Sequence, residues 1–114
     1  MVQQNSDKNT WPDDVDGDVF RRMLQSGFDF SKAHVVDYNI DFKAWPPSDE
    51  ALAQLRRSYE SVTVYEPDGN LGGYVQVQLR EVVTYARVIA TQQNLTKAMA
   101  LFGGVCESWG ALQE

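Results

Sequence analysis

The chain has 114 residues, the length of one domain, and its 43% hydrophobic and 23% charged residues are an ordinary globular balance. A net charge of −6 and a pI near 4.6 argue against phosphate binding, which depends on Lys and Arg displacing counterions, and suit a basic protein surface instead. One cysteine excludes an internal disulfide, and no basic-then-apolar leader or long apolar run points to export or a membrane span, so a cytoplasmic protein is expected.

Residues 1–12, "MVQQNSDKNTWP", are polar and aperiodic and read as a flexible tail, with Trp11-Pro12 the first candidate for docking. Residues 13–114 then form the single domain. In "DDVDGDVFRRMLQSG", Val19 with Met23 and Phe20 with Leu24 give a helix one apolar face. Asp14 or Asp16 can cap its start, and Gly27 is placed to end it in a left-handed cap. In "AHVVDYNIDFKAW", Val36, Tyr38, Ile40 and Phe42 alternate with polar neighbours, the period of a half-buried strand that Pro46-Pro47 stops.

Ser48 caps a second helix whose stripe is Leu52, Leu55 and Tyr59. "SVTVY" (61–65) is a second strand and "EPDGN" a turn, with Asp68-Gly69 as its hairpin signal. "NLGGYVQV" (70–77) leads a third strand that continues through Arg80. The third helix starts near Thr84, carries Val88, Ile89, Leu95, Met99 and Phe102, and stops at Gly103-Gly104. "VCESWGAL" reads as a short fourth strand. A helix followed by βαββαβ predicts the ferredoxin-like α+β arrangement, a four-stranded antiparallel sheet with its helices on one face.

The glycine-led third strand resembles the RNA-stacking strand of an RNA-recognition domain, but such a domain needs several aromatics and nearby cations. If Val75, Val77 and Leu79 face the helices, then Tyr74, Gln76, Gln78 and Arg80 face outward, opposite Asp37, Asn39 and Asp41. The two aspartates repel phosphate, and Tyr74 is the one aromatic there, so the face is expected to be a solvated polar surface or a protein-docking one.

Reaction chemistry is not apparent in these residues. His34, the single histidine, starts a strand and is expected at the surface or a strand edge. Cys106 has no CxxC partner for zinc and is expected as a buried thiol. Asp37 and Asp41 lie about 13 Å apart by strand rise, too far to share a proton. Gly72-Gly73 lacks the pattern of a phosphate cradle, and "NLT" at 94–96 falls within a helix. The expectation is a non-enzyme without metal or cofactor.

The stretch "DGDVFRRMLQSGFDFSKAHVVDYNIDF" (16–42) runs a helix, a glycine stop and "D-x-S-K-x-H" into an alternating strand. "LTKAMALFGGVCESWGAL" (95–112) runs a helix into glycine and then a short strand bearing Glu107-Ser108-Trp109-Gly110. In both, the chain resembles the regulator of ribonuclease activity B (RraB) family, protein inhibitors of ribonuclease E. That family has an aspartate-glycine-tryptophan-glycine-like signature where this chain keeps the acid, the tryptophan and the final glycine.

The resemblance implies a ferredoxin-like fold and a non-enzymatic regulator. Such a regulator binds ribonuclease E, chiefly its scaffold outside the catalytic core, and changes which RNAs are degraded. Some members carry a long acidic C-terminal extension, whereas the sequence here runs to Glu114, which implies weaker binding or another basic partner if that extension supplies affinity. Asp37, Asp41, Tyr74, Glu107 and Trp109 are the expected partner-binding residues of a monomer that contacts no nucleic acid or membrane directly. Trp109 can equally be a core residue packed on the third helix. The alternative function is a small-molecule sensor, since ferredoxin-like sheets take ligands at a dimer interface or helix end.

Overall fold

The computed structural model describes residues 11–111. Helix α1 (Val15–Gln25) starts where the Asp14 carboxylate accepts the Gly17 N–H at 2.7 Å. It closes in a Schellman turn: Gly27 takes a φ of +86°, and the Gly27 and Phe28 N–H groups donate back to Leu24 and Met23. Strand β1 (Ala33–Phe42) follows, then α2 (Asp49–Ser58), β2 (Ser61–Tyr65), β3 (Tyr74–Val82), α3 (Tyr85–Met99) and β4 (Gly104–Ala111). Ser48 and Thr84 cap α2 and α3 through their hydroxyls, which accept the N–H groups of Ala51 and Arg87 at 3.1 Å. A single 3₁₀ turn (Ala100–Phe102) joins α3 to Gly103 and β4.

The strands form one antiparallel sheet in the order β2-β3-β1-β4. β3 lies between β1 and β2, the split βαβ of a ferredoxin-like fold, here with an added N-terminal helix. Asp68 and Leu71 exchange backbone hydrogen bonds of 3.0 and 2.9 Å at the β2–β3 turn. Period-two alternation decides which face is buried: Val36, Tyr38 and Ile40 of β1 and Val75 and Val77 of β3 pack under Phe20, Ala51, Leu55, Val88, Leu95 and Met99 of the helices. Leu79 and Phe42 continue the same face toward its margins and are half-buried.

Tyr38 is fully buried and donates its hydroxyl to Glu81 at 2.7 Å. Burial first, and then the Glu81 carboxylate, raise its phenol far above the usual range.

One expectation changes. His34 is not at the surface: only 2% exposed, it follows the inward phase of Val36 and Tyr38. Its Nε2 lies 2.7 Å from the Asp29 carbonyl and its ring packs on Phe28 with centroids 4.3 Å apart, while its buried Nδ1 has no partner among the described residues. Of the expected tail, residues 1–10 lie outside the described residues. Trp11 is packed on Phe20 and Phe30, with ring centroids at 5.3 and 5.6 Å, and its carbonyl accepts from Arg21 at 3.2 Å.

Candidate protein-binding surface

Among the described residues every helix lies on one side, which leaves the other face of the sheet open, and the register sorts that face into rows that run across the strands. In one row, the Ser61 hydroxyl donates to Gln78 at 3.2 Å and the Gln78 amide donates to Asp37 at 2.6 Å. In the next, the Gln76 amide donates to Asn39 at 3.1 Å and Asn39 donates to Ser108 at 3.2 Å. These links tie β2 to β1 and β3 to β4, so the face is rigid as well as polar. A third row begins with the cross-strand pair Tyr65 and Tyr74, stacked with centroids 4.9 Å apart and planes 19° apart. Asp41 stands exposed on β1 at the Tyr74 end of that row.

Asp37, Asp41 and Tyr74 thus share the open face. Among the described residues, the strands place one cation there, Arg80, whose guanidinium donates to the Ala33 carbonyl at 3.5 Å. Glu107 stands apart from the three. The β1–β4 register shifts at Asn39/Ile40, where Asn39 pairs with Ser108 and Ile40 with Cys106, leaving Glu107 as the exposed extra residue of a β-bulge.

Trp109 lies on the opposite, helix-covered face. Its ring packs 5.3 Å from that of Phe20 and its Nε1 donates to Asp16 at 2.8 Å, so it clamps α1 onto β4. Sequence reasoning missed Tyr65. It closes "SVTVY" four residues before the Gly69 turn, and a hairpin places it across from Tyr74.

A second concavity, of about 660 Å³, lies between the start of α1, α3 and β4. Val15, Ile89 and Val105 give it apolar walls, and Lys97, Asp16 and Glu107 are at its rim. Gln92, 8% exposed, also lines it. Cys106, beside it, is buried, and its thiol is pushed up to about 12 chiefly by that burial. A thiol so held stays protonated and is a poor nucleophile. Among the described residues, no group of His, Cys, Asp and Glu could hold a metal ion, and no helix is long and apolar enough to cross a membrane.

Comparison with curated proteins returns no match. The sequence profile of the family described as Regulator of ribonuclease activity B, however, matches residues 13–111, from the turn before the α1 cap to the end of β4. A match that takes in every described strand and helix places this chain in the regulator of ribonuclease activity B family.

Proposed function

We propose that the protein binds ribonuclease E, or another basic protein surface, and modulates RNA degradation by that contact without catalysing a reaction. The family match over residues 13–111 carries this reading. The open sheet face supplies a suitable surface, because its Asp37 and Asp41 carboxylates complement a basic partner and its hydrogen-bonded rows pre-organise it. Asp37, Asp41 and Tyr74 form the centre of the contact and Glu107 its β4 margin. Trp109 acts at second hand, by holding α1 against the strand that carries Ser108. On this reading the protein works as a cytoplasmic monomer. The test is capture of purified ribonuclease E, its scaffold fragment and its catalytic core on the immobilised full chain. The scaffold should be retained, and retention should fall in Asp41→Asn and Tyr74→Ala. Equal retention by wild type and both variants excludes this face.

The groove beside α3 favours a second reading, a small-molecule sensor. The observation behind it is the apolar-walled concavity that Gln92 lines, the pattern of a ligand pocket. A thermal-shift screen with metabolites separates the two: a ligand whose stabilisation disappears in Gln92→Leu supports the sensor.

A further inference from the structure

The aromatic row on the open face has a specific chemical complement. Tyr65 and Tyr74 stack on each other away from the core, and Tyr65 stays 41% exposed although its ring could gain by burial. Tyr74 precedes Val75, which pairs with Ile40, so Asp41 and Tyr74 are the next residues across from one another. Asp41 makes no ion pair among the described residues. The nearest cation along β1, Lys43, has its stem beside Gly103 at the β4 side. Glu66, exposed beyond Tyr65 and bonded by the Trp45 Nε1 at 3.3 Å, adds negative charge at the same end of the sheet. A carboxylate thus borders a pair of tyrosine rings on a surface that no helix among the described residues covers.

We infer that Tyr65, Tyr74 and Asp41 form an arginine-reading patch that takes an extended, arginine-bearing segment of a protein partner. The inference rests on the open face being the docking surface. A guanidinium is planar, delocalised and weakly hydrated, so it lies on a tyrosine ring while its N–H groups reach the Asp41 carboxylate. A lysine ammonium satisfies the carboxylate but has no plane to stack. The patch therefore distinguishes arginine from lysine at equal charge.

The test is fluorescence anisotropy of the full chain against two labelled peptides of equal length and charge. One carries arginines and the other lysines, each on a Gly/Ser spacing. The arginine peptide should bind about two- to fivefold tighter, the size of one exposed cation–π contact. Tyr65→Leu and Tyr74→Leu should each cost the arginine peptide more than the lysine peptide and so close the gap between the two. Asp41→Asn should weaken both, and circular dichroism melts verify that every variant is folded. Equal affinity for the two peptides, no binding of either, or a preference that survives Tyr74→Leu overturns the arginine reading. If ribonuclease E capture then still falls in Asp41→Asn, the docking face stands without arginine selectivity. If capture ignores that variant as well, both readings fall.

Discussion

Two side chains that hold α1 to the rest of the fold do so through carboxylates, and each makes a testable claim. Trp109 combines ring packing on Phe20 with an Nε1–H donated to Asp16. Trp109→Ala should lower stability by about 2–3 kcal/mol, under the roughly 3–5 kcal/mol of a fully buried aromatic, because the ring is only half-buried. Trp109→Phe keeps most of the packing and should cost about 1 kcal/mol for the lost hydrogen bond. Equal urea midpoints for Trp109→Ala and wild type would show that the clamp contributes nothing. On the same helix, Asp14 accepts the Tyr85 hydroxyl at 2.6 Å, and that bond, followed by the Gly17 N–H, holds its carboxyl below the ordinary 3.8. A depressed carboxyl pKa means the ionised form favours the fold. Its contribution is complete above the ordinary value and disappears as pH falls through the depressed one. Tyr85→Phe should therefore melt below wild type at neutral pH, and the gap should close as the solution is acidified below pH 3.8. A gap that stays constant down the acid limb contradicts the linkage.

At the scale of elements, what could be read from the residues depends on how local the cause is. Caps are local: Asp14, Ser48 and Thr84 act within three residues of themselves and are visible as Asp, Ser and Thr before apolar runs. The alternation of β1 is local too, and it foretells both the buried face and the outward placement of Asp37 and Asp41. Taken at its word, the same alternation carries His34 inward, and the expectation of a surface histidine neglects that phase. The β4 bulge is different. Without it, the phase set by buried Cys106 would turn Ser108 inward and Trp109 outward; the extra residue Glu107 exchanges them and delivers the indole to α1. Nothing in "VCESWGAL" announces this, because the register of an edge strand is chosen by its partner. Gly17 is a similar case, a buried glycine within a helix where alanine has the higher propensity. A Cβ there would clash with the Pro12 carbonyl oxygen, so the Trp11-Pro12 segment can cross α1 only over glycine. Gly17→Ala should destabilise by about 1–3 kcal/mol despite the better helix former, as overpacking does. A higher urea midpoint would mean that the crossing is not held.

For the molecule as a whole, the question is whether an open four-stranded face of this shape takes RNA or protein. The shape alone does not decide, since RNA-recognition domains present the same side of the same kind of sheet. Aromatic count is a weaker discriminator than the sequence suggests, because Tyr65 joins Tyr74 and a base could stack on either. Charge decides instead. Single-stranded RNA binds through a groove of cations along its backbone, with stacking added to it. Here Asp37 and Asp41 occupy the central strand, and Gln76 and Gln78 are already hydrogen-bonded to their neighbours across the sheet. Arg80 is the one cation that the strands place on the face among the described residues, and the net charge of −6 repels a polyanion at long range. The full chain at micromolar concentration in low salt should therefore give no shifted band with generic single-stranded RNA. Under the same conditions a basic protein partner should bind, and more weakly as salt rises, since screening acts on exposed charges. Double substitution to Asp37→Lys and Asp41→Lys, with the tyrosines intact, should turn the result around: RNA affinity appears and falls steeply with salt. A wild-type complex with RNA that survives to physiological salt would show that stacking outweighs charge on this face.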